Sequence, residues 1–143
     1  MHGHTRSGEL ADAVKQGAAF VVERDGRITG YTSGLNYFGH SVAESNRDLQ
    51  ALIGAAENLV GPGFLVPTRN ATLFRWCLEH GLRVVQPNTL MSIGLYNEPS
   101  GAWIPVHSLL AHVWPYHAKW YGSTAGNLSV ASGYAVIQEL LAS

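Results

Sequence analysis

Residues 18–31 read AAFVVERDGRITGY, two strand-like runs hinged on Asp25-Gly26. Ala19-Phe20-Val21-Val22 is apolar and β-branched, and Arg27-Ile28-Thr29-Gly30-Tyr31 alternates on the far side. Asp-Gly between two such runs predicts a β-hairpin, because a type I′ turn requires φ > 0 at both central residues. The second strand is expected to run on through Thr32, Leu35 and Tyr37-Phe38. Gly30, Gly34 and Gly39 interrupt that run and predict a bulge or a close backbone approach.

Helical segments are expected on both sides of the hairpin. Before it, residues 5–16 place Leu10, Ala13 and Val14 on one narrow apolar stripe, with Ser7 to cap the start and Gly17 to stop the end. After it, residues 45–60 open on Ser45 with Asp48 three positions on, a capping-box-like start. Leu49, Leu52, Ile53, Ala56 and Val60 then recur at helical spacing as far as Gly61-Pro62-Gly63. Phe64-Leu65-Val66 reads as a short buried strand. Residues 70–80 form a further helix with Leu73, Phe74, Cys77 and Leu78 on one face and Gly81 beyond its end. Residues 82–85 and 90–96 read as two strands joined by Gln86-Pro87-Asn88. The order α, β-β, α, β, α, β, β is mixed α/β in one domain. Beyond Asn97-Glu98-Pro99-Ser100-Gly101 the texture changes: residues 104–143 contain only Lys119 and Glu139 as charged side chains. Residues 127–141 are compatible with a helix, although Gly133 lies within them.

Composition bounds the function. The chain has 143 residues, 46% hydrophobic and 13% charged, with a formal net charge of −1. That suits one core of ordinary size and offers no electrostatic footprint for nucleic acid or an anionic membrane. Cys77 is the single cysteine, so no intrachain disulfide forms and a reducing cytoplasm is the expected setting. The N-terminus lacks the apolar stretch of a signal peptide, and no apolar run approaches the roughly 18 residues of a membrane span.

Residues 63–96 resemble the C-terminal half of the GCN5-related N-acetyltransferase (GNAT) superfamily. The resemblance is carried by Asn70-Ala71-Thr72-Leu73-Phe74-Arg75-Trp76-Cys77-Leu78-Glu79-His80-Gly81-Leu82. Asn70 matches the family's helix-opening Asn, and Gly81-Leu82 matches the Gly-Phe that closes the helix. The VVERDGRITGY hairpin is similar to the family's second and third strands. The run from HGHTRSGEL to MSIGLYNEPSGAWIP is similar to the second half of tandem, two-domain GNAT proteins. The implied fold is a GNAT-like mixed, mostly antiparallel sheet flanked by helices. The family's first strand and helix are missing ahead of His2, so the resemblance implies the trailing part of a longer protein. It covers a GNAT-like domain at residues 1–103 and leaves a C-terminal extension at residues 104–143 without family affiliation.

The implied activity is acetyl transfer from acetyl-CoA to a small-molecule or protein amine. The family holds the cofactor on a Gly-rich loop before a helix N-terminus, where backbone N–H groups and the helix dipole meet the pyrophosphate. The corresponding stretch here is Ser41-Val42-Ala43-Glu44-Ser45-Asn46-Arg47-Asp48, which holds no glycine. Glu44 and Asp48 complement the dipole themselves and are expected to repel phosphate, with Arg47 as one compensating cation. Ser45, Arg47 and Asn70 are the cofactor-binding candidates, and Asn70 serves equally as a helix N-cap. Cys77 stands where the family's Tyr protonates the departing CoA thiolate; its alternative is plain core. His40, near the implied acyl site, is a substrate-contact candidate or a loop histidine. Glu23 is a general base if it faces a cleft, and otherwise a solvated strand end.

His107, His112 and His117 recur every five residues, a step that rotates about 140° on a helix and so puts them on no common face; no metal site is expected. Trp103, Trp114 and Trp120 lack the neighbouring cations of a nucleobase platform and are read as packing residues. The function the resemblance implies is an N-acetyltransferase as part of a longer protein, in which a catalytic GNAT partner domain is the expected companion. The alternative is a non-catalytic GNAT-like domain that shapes a partner's substrate cleft.

Overall fold

The computed structural model describes residues 7–57, 59, 61–93, 100–105 and 128–139. Three helices and seven strands follow in the order α1 (Ser7–Lys15), β1 (Phe20–Arg24), β2 (Arg27–Thr32), β3 (Ser41–Ala43), α2 (Asn46–Ala55), β4 (Phe64–Pro67), α3 (Ala71–Glu79), β5 (Leu82–Ile93), β6 (Ala102–Ile104) and β7 (Leu128–Glu139). The fold is α/β. One sheet has strand order β1-β2-β3-β6 and the other β4-β7-β5. Every pairing among the described residues is antiparallel.

The hairpin forms as its sequence demands. Asp25 and Gly26 take φ of 52° and 75°, the two positive values of a type I′ turn. A bulge opposite the Val22/Glu23 step leaves Thr29 unpaired, beside Gly30. The second strand, however, stops at Thr32. Asn36 turns the chain by accepting hydrogen bonds at 2.8 Å from the N–H groups of both Phe38 and Gly39. Ser33 N–H then donates to the His40 carbonyl at 2.9 Å, and β3 returns alongside β2. The close approach expected of the glycines is between Gly34 and Gly39: a Cβ on Gly39 would lie 2.0 Å from the Gly34 carbonyl oxygen.

Side chains alternate across a strand. Val22, Ala43 and Ala102 therefore share the face that α2 covers, while Val21, Tyr31, Val42 and Trp103 share the other. The core forms on the first face. Leu49, Leu52 and Ile53 of α2 meet Phe64 and Val66 of β4, Leu73 and Cys77 of α3, Ile104 of β6 and Ile137 of β7. Both sheets thus close on one apolar cluster.

Three further expectations give way. The helix from Ser45 ends at Ala55, because the buried stripe runs out after Ile53 and Gly54 weakens the turn beyond it. Residues 82–93 are one strand rather than two. β5 is an edge strand of its sheet, a position that tolerates Pro87, and the register shifts around Val85. Residues 128–139 form a strand, not a helix. β7 lies between β4 and β5, and its low charge and its Val130, Tyr134, Val136 and Ile137 suit a central strand. β6, which carries Trp103, was not expected as a strand. The expected strand end at residues 94–96 and the His107, His112, His117, Trp114 and Trp120 readings lie outside the described residues.

Candidate functional site

The helices α2 and α3 begin side by side. Ser45 caps α2: its hydroxyl accepts from Asp48 N–H at 3.3 Å and donates to Asp48 Oδ2 at 2.7 Å. Asn70 caps α3 through Oδ1, which accepts from Leu73 N–H at 3.3 Å. Asn46, the first residue of α2, joins the two caps. Its Nδ2 donates to Asn70 Oδ1 at 2.9 Å, and Asn70 Nδ2 donates back to Asn46 Oδ1 at 2.8 Å. Two helix N-termini, each with donors left over from the helix ladder, are thereby held at one place.

That place opens on a cleft of about 580 Å³, lined on its polar side by Ser45, Asn46, Asn70 and Arg69 and on its apolar side by Pro67 and Trp103. Glu44, Gly101 and Ala102 complete the wall. Such a lining suits an elongated ligand with an anionic group at the helix ends and an apolar stem along Trp103.

The carboxylates at the start of α2 are not left to repel an anion. Arg27, just past the hairpin turn, grips Glu44 with both guanidinium nitrogens; Nη2 donates to Oε2 at 2.8 Å, and Nη1 donates to Oε1. Arg24, just before the turn, donates from Nε to Asp48 Oδ1 at 3.0 Å. The Arg27 guanidinium holds the Glu44 carboxyl below its usual range. The Ser45 hydroxyl, then Arg24, do the same for Asp48. This corrects the expectation drawn from Glu44 and Asp48: the hairpin supplies a cation to each, a pairing across at least 17 positions of sequence that local reading misses.

Of the three cofactor-binding candidates, Ser45 and Asn70 come together in the cleft, whereas Arg47 is exposed on α2 outside its lining. Arg69 stands at the cleft instead, beside Asn70 in sequence. Cys77 is fully buried in the core, and burial pushes its thiol up to about 12. A thiol so placed neither reaches the cleft nor yields a proton at neutral pH, so the core alternative holds for it. Glu23 is exposed on the edge strand β1 opposite Ile28 and lines no described cavity, which leaves it as the solvated strand end.

His40 is 2% exposed and fully engaged. Its Nδ1 lies 2.8 Å from Glu9 Oε1, and its Nε2 lies 3.1 Å from the Tyr31 hydroxyl. Ser33 Oγ accepts from the His40 backbone N–H at 3.0 Å and donates to Glu9 Oε1 at 2.9 Å. Behind the ring, Thr32 Oγ1 donates to the His40 carbonyl and accepts from Gly34 N–H and Ser41 Oγ. His40 therefore meets any ligand only through Tyr31 or Glu9. Glu9 and Tyr31 escaped sequence reading because nothing local marks a contact spanning 31 positions. Among the described residues no group of three or more His, Cys, Asp or Glu is arranged to hold a metal, and no helix is long and apolar enough to cross a membrane. The chain matches no protein-family model, no curated protein and no solved structure.

Proposed function

We propose that this chain is the GNAT-type part of an acetyl-CoA-dependent N-acetyltransferase, with the cleft between the α2 and α3 N-termini as its acetyl-CoA site. The observation that carries the reading is that Ser45 and Asn70, the cofactor positions implied by the resemblance, line one cleft. They do so although the whole of α2 and β4 separate them in sequence. The neutralised carboxylates support it as well. With Glu44 and Asp48 paired to Arg27 and Arg24, the two helix N-termini open on a cleft that Arg69 also lines, a setting that suits a phosphate. In this reaction an amine attacks the thioester carbonyl directly, and the chain contributes binding and orientation of both partners.

A second reading, a non-catalytic GNAT-like domain that shapes the cleft of a partner domain, is favoured by one specific observation. Cys77 is core and cannot serve as the acid that the family's Tyr provides. Release of free CoA thiol, followed while acetyl-CoA is presented with a panel of primary amines, separates the two. Amine-dependent release supports the transferase. Absence of release rejects the transferase for this chain, and absence of acetyl-CoA binding as well rejects the cofactor site and leaves the non-catalytic domain.

A further inference from the structure

The sheet of β1, β2, β3 and β6 is not covered along its whole α2 side. Side chains alternate along a strand, so Phe20 shares that side with Val22. Val22 is buried, whereas Phe20 is 42% exposed. The difference follows from α2: the helix ends at Ala55, and a cavity of about 400 Å³ opens between its last turn and Phe20. Gly17, Gly34 and Ala55 line it with nothing larger than a methyl group, which keeps the space open. Leu35 joins Phe20 as its apolar wall. A volume of this size holds a small organic molecule.

The polar character of the cavity is one-sided. Among the described residues that line it, Glu57 alone carries a charge. Asn36 offers only its amide nitrogen, because its Oδ1 already accepts from the N–H groups of Phe38 and Gly39. α2 presents its C-terminal end here, and its last turn holds no basic residue to meet the negative pole of the helix dipole. The cation nearest in sequence to a lining residue, Lys15, lies 3.6 Å from Asp12 and is not part of the wall. A carboxylate, a helix C-terminus and an aromatic ring all favour a positive charge. Phe20 and Leu35 favour an apolar body beside it.

We propose that this cavity binds a small organic ammonium ion, with its charge toward Glu57 and the end of α2 and its apolar body against Phe20 and Leu35. The cleft at the start of α2 and the cavity at its end are about 15 Å apart by the rise of a helix of 10 residues. They are separate sites, and the inference does not rest on the N-acetyltransferase reading.

The test titrates phenethylamine, protonated at neutral pH, into the whole chain and follows backbone amide shifts by NMR. Phenethyl alcohol, which has the same apolar body without the charge, is the comparison. The amine is expected to bind saturably at roughly millimolar concentration, shifting the amides of Phe20, Gly34 and Ala55. The alcohol is expected to bind about fivefold more weakly or worse. Glu57→Gln keeps the shape and removes the charge, and is expected to weaken the amine by about fivefold or more while leaving the alcohol unchanged. Ala55→Leu, at an exposed helical position that accepts leucine, fills the cavity and is expected to abolish binding of both. Circular dichroism verifies the fold of each variant. No saturation up to about 20 mM amine, equal binding of amine and alcohol, or amine binding that either substitution leaves intact would overturn the proposal.

Discussion

Asn46 and Asn70 exchange two amide hydrogen bonds, at 2.9 and 2.8 Å, across the starts of α2 and α3. Asn70 carries a second duty, the cap on Leu73 N–H. Replacing it therefore removes a helix cap and strands the Asn46 amide at once. Asn70→Ala is expected to cost about 1–2 kcal/mol and Asn46→Ala less, measured by urea denaturation. Because the two side chains share bonds, the double variant is expected to cost less than the sum of the singles by about 0.5 kcal/mol or more.

Cys77 tests the division between core and cleft. With its thiol buried and pushed up to about 12, it is expected to resist aromatic disulfide reagents in the folded chain and to react at once in denaturant. Cys77→Ser places a hydroxyl in an apolar cluster and is expected to destabilise by about 1–3 kcal/mol.

How much of this was legible in advance follows the range of each interaction. Asp25-Gly26 announced the hairpin and Asn70 to Gly81 announced α3, because caps and turns are set by a few adjacent residues. Ser45 and Asn70 could be picked out for the same reason. β7 was not legible: Gly133 and a nearly uncharged stretch fit a poor helix as well as a central strand, and only pairing with β4 and β5 decides between them. β5 appeared broken at Pro87, since its edge position is a property of the sheet. The pairing of Arg24 and Arg27 with the carboxylates of α2, and of Glu9 with His40, joins elements that approach only once the chain has folded.

Acidification tests the charges at the start of α2. Glu44 and Asp48 both have folded pKa values held below their unfolded ones. Their contribution is thus fully present above the unfolded range of about 4 and is lost as pH falls through the lower folded values. The urea midpoint is expected to fall between pH 5 and pH 2. Asp48→Asn is expected to flatten that fall. The Arg27–Glu44 pair is solvent-exposed on both sides, and its removal is expected to leave the urea midpoint at pH 7 nearly unchanged.

The turn that presents His40 depends on Gly39. Because a Cβ there would lie 2.0 Å from the backbone oxygen of Gly34, Gly39→Ala must part the two segments. The expected cost is about 1–3 kcal/mol, with the His40 ring resonances shifted in NMR spectra. Gly54→Ala, where an added Cβ meets nothing within 4 Å, is expected to be neutral or stabilising by up to about 1 kcal/mol.

The central claim is that the joined N-termini of α2 and α3 bind acetyl-CoA. Calorimetric titration of the folded chain with acetyl-CoA tests it most directly, with Arg69→Ser and Asn46→Ala titrated alongside. The account predicts saturable one-to-one binding, weakened about tenfold or more by each substitution, or about 1.4 kcal/mol. No saturable heat up to about 1 mM ligand, or binding indifferent to both substitutions, would contradict it.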